Sequence, residues 1–201
     1  LLAVDSTAAT PLLTRPLELG ADIVMHAATK YLNGHSDVVA GALATARVDA
    51  MWERIRKNRY TLGQLLAPLE AFLLIRGMRT IGVRVPAACA SAMDLAERFA
   101  KHPNVAEVLY PGLAPHPQHD IAKRQMRGGF GGMMSIRVKG GAAAAIGTAA
   151  RVELWKRATS LGGVESLIEH RASIEGEGSP CPDDLLRLST GIEDAGDLYA
   201  D

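Results

Sequence analysis

Residues 21–37 read ADIVMHAATKYLNGHSD, and this stretch decides the expected fold. Its apolar part, 23–25, is typical of a strand, and small residues then lead into Lys30. A lysine placed there lies at the end of a sheet element, where cofactors bind in α/β proteins. Its amine can form a Schiff base with an aldehyde such as that of pyridoxal phosphate. The competing interpretation is an exposed lysine in a surface loop.

A second strand-like segment opens the chain. It reads Leu-Leu-Ala-Val-Asp-Ser-Thr and ends on the carboxylate of Asp5. Neighbouring strands that end at Asp5 and near Lys30 would bring both residues to one edge of a sheet. An acidic group there can keep the pyridine nitrogen of pyridoxal phosphate protonated, which makes the ring an electron sink. An aspartate at a strand end can equally cap the following helix.

Three ordered segments carry a resemblance to a known family. They are VDSTAATPLLTRPLELGADIVMHAATKYLNGHSD (4–37), SLGGVESLIEH (160–170) and LLRLSTGIED (185–194). They resemble the Cys/Met-metabolism, or trans-sulfuration, family of pyridoxal-phosphate enzymes, which includes cystathionine synthases and lyases, methionine lyase and homoserine sulfhydrylases. The resemblance covers nearly the whole chain. It implies an α/β protein of pyridoxal-phosphate fold type I, the aspartate-aminotransferase-like fold.

The resemblance also implies a domain organisation. Members of the family are about twice as long, so we expect the C-terminal half of a longer polypeptide, with its own N-terminal half as a partner. Residues 1–80 would form the C-terminal part of the large cofactor domain. Residues 81–201 would form a small α+β C-terminal domain with its connecting helix. The glycine-bearing loop that grips the phosphate and the tyrosine that stacks on the ring would lie in the N-terminal half.

The same resemblance assigns roles to five residues. Lys30 would carry the cofactor and move the substrate's Cα proton, first as base and then as acid. Asp5 would hold the pyridine nitrogen, and the Thr29 hydroxyl would bind a phosphate oxygen. Ser160 would act with Lys30 and position both the lysine and the substrate, while the planar fork of Arg187 would bind the α-carboxylate. Taken alone, Thr29 can be an ordinary strand-ending residue and Arg187 a solvent-facing arginine on an edge strand.

The chain departs from the family pattern at three places. Ala27 stands where the family usually has a serine that contacts the phosphate, which would weaken cofactor binding by roughly 1–3 kcal/mol. Thr159 replaces the glutamate that several γ-synthases and γ-lyases carry. Arg171 begins a segment, 171–176, that replaces the family's Pro-Ala-Ser/Thr-Met-Thr-His. Thr159 leaves open whether the chain belongs with the γ-synthases and γ-lyases. The segment 171–176 predicts a pocket for the distal part of the substrate that differs from that of the well-known enzymes.

Composition argues against several classes of protein. The 22 basic and 22 acidic residues balance, so nothing indicates a nucleic-acid partner. No apolar run reaches the roughly 18 residues of a membrane span, and the two distant cysteines favour a reduced, cytoplasmic protein. His116 and His119 have an H-x-x-H spacing, but no supporting ligands accompany them, and we expect no metal.

Periodicity and turn residues predict an alternation of strands and helices. The first part of the chain should hold strands at 1–5, 22–27 and 38–44, a short helical turn at 16–20, and helices at 49–58, 62–77 and 81–101. The remainder should hold strands at 105–110, 132–139, 154–160 and 185–190, a connecting loop at 111–118, and helices at 142–151, 164–169 and 195–200.

These observations favour an enzyme of sulfur amino-acid metabolism. The expected reaction is elimination or replacement at the β or γ carbon of sulfur amino acids or activated homoserine, as in cystathionine γ-synthases and γ-lyases. The expected assembly is a homotetramer. Cystathionine β-lyase or methionine γ-lyase activity is an alternative, and so is a non-catalytic fragment or assembly subunit that lacks the other half of the site. An aminotransferase of the same fold is disfavoured by the pattern around Lys30.

Overall fold

The computed structural model describes residues 1–201 and contains two separate β-sheets. The first sheet has three strands in the order β1-β2-β3, namely Ala3–Asp5, Ile23–Ala27 and Gly41–Thr45. Strands β1 and β2 are parallel, with Asp5 opposite Met25, and β3 runs antiparallel to β2. The predicted parallel arrangement, in which Asp5 and the segment leading to Lys30 reach one edge, is therefore confirmed.

The connection between β1 and β2 is short and helical. It contains α1 (Thr10–Leu13) and a 3₁₀ helix (Pro16–Leu19). Gly20 ends the 3₁₀ helix with a φ of 99°, a left-handed conformation that glycine adopts without a steric penalty. This part of the chain agrees with the predicted helical turn, and it delivers β2 into the sheet beside β1.

Three helices follow the first sheet: α2 (Ala50–Thr61), α3 (Pro68–Met78) and α4 (Ile81–Phe99). The Asp49 carboxylate caps α2 by accepting hydrogen bonds from the backbone amides of Met51 and Trp52. The prediction of one helix over 62–77 is wrong in its first part, because Pro68 begins α3. Proline disfavours a helical conformation in the residue before it, and Ala67 is extended.

The second sheet has five strands in the order β4-β5-β8-β7-β6. The strands are β4 (Val105–Leu109), β5 (Met133–Val138), β6 (Lys156–Arg157), β7 (Leu167–His170) and β8 (Leu185–Ser189). The short helices α5 (His119–Gln125), α6 (Gly141–Arg151), α7 (Arg171–Glu175) and α8 (Ala195–Ala200) connect or flank them. Along β5 the side chains alternate between half-buried and buried, as a strand with one face on the core requires.

Two predictions for this region are wrong. The helix predicted at 164–169 does not form: residues 164–166 are irregular and 167–169 belong to strand β7, where Ile168 pairs with Leu188 of β8 and both side chains are buried. The strand predicted at 154–160 is reduced to the two residues of β6. Helix α5 was not anticipated. For β6 and β7 the pairing with a neighbouring strand decides the conformation, and such pairing is not visible in a local pattern.

The main core lies between the second sheet and helices α4 and α6. Leu95 on α4, Ile136 on β5 and Leu186 on β8 are buried in one cluster of 14 residues. By contrast, α3 exposes large apolar side chains at Leu69, Phe72 and Ile75. None of the helices combines the length and apolar content that crossing a lipid bilayer requires.

Candidate active site

The turn that follows β2 fixes the backbone of Lys30. The Lys30 amide donates to the carbonyl of Ala27 (3.0 Å), and the Gly34 amide donates to the carbonyl of Lys30 (2.7 Å). The Asn33 amide donates to the carbonyl of Ala28 (2.9 Å), and the three residues after Lys30 are buried. The lysine therefore lies in a turn that backbone hydrogen bonds hold, and its own side chain is half-buried.

The Lys30 side chain contacts Ser160. Its Nζ donates a 2.7 Å hydrogen bond to Ser160 Oγ across 130 positions of sequence. Ser160 has a φ of 112°, a left-handed conformation that costs a residue other than glycine about 1–3 kcal/mol. The adjoining loop is tied down, because the Gly162 amide donates to Ser189 Oγ (2.9 Å). Strain of this kind persists where the surroundings over-determine a conformation, as they do at binding sites.

Arg187 lies on the other side of the same serine. Its Nη2 donates to the Ser160 carbonyl (2.9 Å) and lies 2.6 Å from Oε1 of Glu169. Glu169 is directly opposite Arg187 in the β7–β8 register, and its side chain is only 3% exposed. Arg171 approaches the same carboxylate oxygen at 3.3 Å. The backbone carbonyl of Ser160 thus orients Arg187, while its hydroxyl receives Lys30.

Asp5 sits exposed at the end of β1, close to the buried His26 on β2. Hydrogen bonds from the Thr7 hydroxyl and the Thr7 backbone amide lower the pKa of the Asp5 carboxyl, and the charge of nearby His26 acts in the same direction. Burial lowers the pKa of His26, against an opposing effect of Asp5. At neutral pH Asp5 is therefore an ionised carboxylate, the state that pairs with a protonated ring nitrogen.

The Thr29 hydroxyl already has partners in this structure. It accepts a hydrogen bond from the Ala40 amide (2.9 Å) and donates to the Ala40 carbonyl (3.3 Å). These bonds hold the loop between β2 and β3 against the turn. A cavity of about 300 Å³ opens beside it, lined by Thr29, Ser36, Thr159, Ser160, Gly163 and Leu167 among others. The proposed phosphate contact of Thr29 stays a prediction.

His116 and His119 make hydrogen bonds to backbone groups of their own loop. His119 Nδ1 lies 2.8 Å from the carbonyl oxygen of Pro111, and His116 Nδ1 accepts from the Gln118 amide (3.2 Å). No group of three or more His, Cys, Asp or Glu side chains converges as a metal site. The two cysteines are free thiols, with Cys89 buried and Cys181 half-buried.

Comparison with known sequences places the chain in a family. The sequence model of the Cys/Met metabolism PLP-dependent enzymes matches residues 1–201. The chain belongs to this family. It is 48% identical over 203 residues to a cystathionine gamma-synthase of Mycobacterium tuberculosis, with 98% of this chain and 52% of the relative covered. It is 44% identical over 205 residues to a cystathionine beta-lyase of Coxiella burnetii, with 98% of this chain and 53% of the relative covered.

Solved structures give the same result. The crystal structure of metB from Corynebacterium glutamicum superposes with a TM-score of 0.94 at 44% identity, covering 100% of this chain and 53% of that one. These findings confirm the predicted family, its pyridoxal-phosphate dependence and the predicted fold. The chain spans about half the length of the relatives it matches.

Two of the three departures from the family pattern come together in space. Thr159 lines the cavity beside Thr29, and it also lines a second cavity of about 290 Å³. That second cavity is bounded as well by Glu169, His170 and Ile174, the last of which belongs to the divergent segment. Thr159 and Ile174 thus line the same cavity as Glu169, the ion-pair partner of Arg187.

Two contributors to the site were not found from the sequence. The sequence prediction places Glu169 in a helix and gives it no role, although an acidic residue that follows the apolar pair Leu167 and Ile168 is a usable signal. Tyr31 was not singled out, yet its buried hydroxyl accepts from the Gly132 amide (3.2 Å) and its ring packs on Gly162. Burial raises the pKa of this phenol, so Tyr31 is neutral.

Gly162→Ala should disrupt the loop that presents Ser160. An added Cβ would lie 2.6 Å from Cδ2 of Tyr31, and the φ of 74° at Gly162 disfavours any side chain. We expect a loss of about 1–3 kcal/mol in the free energy of unfolding, measured by chemical denaturation of the natural polypeptide that carries this chain (the parent protein). Gly163→Ala is the matched control, because its Cβ would meet chiefly the flexible Glu165 carboxylate. Equal stability of the two variants would contradict this account of the loop.

Proposed function

We propose that the parent protein catalyses elimination or replacement at the β or γ carbon of sulfur amino acids or activated homoserine, in the manner of cystathionine γ-synthases and γ-lyases. One arrangement carries the proposal: the Lys30 amine and the Arg187 guanidinium are held on the side chain and the backbone of the same residue, Ser160. A basic amine beside a carboxylate-binding fork is what an amino-acid substrate requires. The names of the curated relatives, a cystathionine gamma-synthase and a cystathionine beta-lyase, support the same class of reaction.

The residues present suit pyridoxal phosphate. Lys30 supplies a half-buried amine, Asp5 an ionised carboxylate at the same sheet edge, and Thr29 a hydroxyl at the adjoining cavity. When bound, the cofactor supplies an aldehyde that takes up amino groups and a ring that withdraws electrons from the substrate's α-carbon. We propose that Lys30, Asp5 and Thr29 hold it.

The Lys30 amine would take the proton from the substrate's α-carbon and later return a proton during elimination or replacement. Ser160 Oγ accepts a hydrogen bond from this amine, so it limits the directions in which Nζ can point. The same hydroxyl lies next to the substrate's reacting carbons in this proposal, which makes Ser160 a second catalytic residue.

Arg187 would receive the substrate's α-carboxylate. Its Nη2 is engaged by Ser160 and Glu169, whereas Nη1 and Nε make no hydrogen bond within the chain. The carboxylate of Glu169 lies against Nη2 and offsets the charge of the half-buried guanidinium. The guanidinium therefore meets the substrate in one orientation, without reorganising when the substrate arrives.

The organisation of the parent protein is part of the proposal. Residues 1–80 would complete a large cofactor domain together with an N-terminal half, and residues 81–201 would form the small domain. The exposed apolar residues Leu69, Phe72 and Ile75 of α3 would be covered by that half or by further copies in a homotetramer. A cytoplasmic location fits two free cysteines. Light scattering of the parent protein measures the assembly.

Lys30→Ala should abolish function. Loss of a proton-transferring group lowers turnover by about 100-fold to 10,000-fold, and loss of the amine should also remove the covalent link to the cofactor. Borohydride reduction followed by peptide mass spectrometry tests this, because wild type should carry the reduced adduct on Lys30. Lys101→Ala removes an exposed lysine, and this variant should retain both turnover and the adduct on Lys30. An adduct on another lysine would overturn the assignment.

Arg187→Ala should act on the substrate and not on the cofactor. Removing charge-assisted hydrogen bonds to a carboxylate should raise KM by about 10- to 100-fold, with the visible absorption of the cofactor unchanged. Arg137→Ala is a matched control, since Arg137 lies on the neighbouring strand β5 and pairs with Asp184. Unchanged KM in Arg187→Ala would exclude the proposed role.

A substrate panel separates the alternatives. Purified parent protein would be given cystathionine, methionine, and an acylated homoserine with cysteine, and the products would be identified. Cystathionine formation supports the synthase reaction, whereas keto-acid release from cystathionine or methionine identifies a lyase. Absence of turnover by cofactor-loaded protein would favour the non-catalytic interpretation.

A further inference from the structure

Arg84 is a buried cation without an acidic partner. It lies in the second turn of α4 and is only 6% exposed. None of the ion pairs in the chain involves it. Burial lowers the pKa of its guanidinium, but arginine stays charged in proteins. A buried charge is costly unless it is well hydrogen-bonded, so the contacts that hold Arg84 are informative.

Those contacts are backbone carbonyls of the turn after Lys30. Nη1 donates to the Tyr31 carbonyl (3.0 Å), and Nη2 lies 3.4 Å from each of the carbonyls of Leu32 and Asn33. Nη2 also donates to the carbonyl of Gly77, at the end of α3 (2.9 Å). Nε donates to the hydroxyl of Thr80 (2.9 Å).

Two glycines allow this close approach. A Cβ at Gly34 would lie 2.0 Å from Nη1 of Arg84, and a Cβ at Gly77 would lie 2.2 Å from the carbonyl oxygen of Asn33. Neither position has room for a side chain. The end of α3, the start of α4 and the lysine-bearing turn are therefore locked against one another around a single guanidinium.

The locked turn also sets the position of the serine loop. Tyr31 follows Lys30, and its ring packs against Gly162, two residues after Ser160. The carbonyl that Arg84 holds belongs to this same tyrosine. The positions of both Lys30 and Ser160 consequently depend on the Tyr31–Asn33 backbone, to which Arg84 is hydrogen-bonded.

We propose that Arg84 is a positioning residue for Lys30: its guanidinium holds the Tyr31–Asn33 backbone so that the Lys30 amine stays within reach of Ser160 and of the substrate. The proposal rests on the proposed function of Lys30. Arginine suits this task because its planar fork presents five donors, enough to serve several carbonyls at once. A lysine there would supply one flexible point of attachment.

Arg84→Met and Arg84→Lys in the cofactor-loaded parent protein test the proposal. In Arg84→Met we expect kcat to fall by about 10- to 100-fold, because a misplaced catalytic group loses near-attack geometry, while KM changes by less than about threefold. Arg84→Lys should recover part of the lost kcat. In the cofactor-free protein, the Asn33 and Gly34 amides should exchange hydrogen at least about tenfold faster in Arg84→Met than in wild type.

Two controls separate positioning from general instability. Arg98→Met changes another arginine on α4, an exposed one paired with Asp94, and should leave kcat and exchange unaltered. Leu198→Ala removes a buried side chain of the main core, which does not include the lysine turn. This variant should lower the melting temperature without selectively accelerating hydrogen exchange at the Asn33 and Gly34 amides.

The outcomes are distinct from those that test Lys30 itself. Wild-type kcat in Arg84→Met would overturn the proposal, whether or not exchange of the turn quickens. If Arg84→Met does not fold, Arg84→Lys decides: reduced kcat with faster exchange supports positioning, and wild-type values of both overturn it. Failure of the proposed function would show instead as a borohydride adduct outside Lys30.

Discussion

The hydrogen bond between Lys30 Nζ and Ser160 Oγ connects the turn after the first sheet to a loop of the second sheet. Lys30 follows β2 of the first sheet, and Ser160 lies in the loop between β6 and β7 of the second sheet. A 2.7 Å contact tolerates little relative movement. The backbone bonds of the lysine turn and the strained conformation of Ser160 follow from this requirement, because each end must be held before the contact can be reliable.

The charges around this contact are arranged so that no carboxylate competes for the Lys30 amine. Arg187 is offset by Glu169 on the neighbouring strand, and Arg84 is satisfied by carbonyl dipoles. Asp5 lies at the sheet edge with its charge stabilised by Thr7. The lysine is therefore hydrogen-bonded to a neutral hydroxyl, which leaves its amine available for chemistry in a way that an ion pair would not.

Two of the three departures from the family pattern lie at the cavity that Glu169 lines. Thr159 and Ile174 face a cavity that also touches Glu169. Changes there leave the Lys30–Ser160 contact intact and alter the surface that a substrate's distal part would meet. The Lys30–Ser160 contact and a divergent pocket can therefore coexist, because separate side chains form them.

Local pattern and resemblance together determined the family, the parallel β1–β2 pair, the long helix α4 and the residues proposed for the site. Apolar runs, prolines and glycines are local properties, and they suffice for the strands and for α4. The family and the roles proposed for the site residues came from the resemblance. The resemblance also pointed to Ser160 as the partner of Lys30. Only the tertiary structure decided that 167–170 is a strand, that Glu169 faces Arg187 and that Arg84 grips the lysine turn. These features depend on pairing and burial between residues as much as 53 positions apart, and such long-range contacts leave no periodic trace in the sequence.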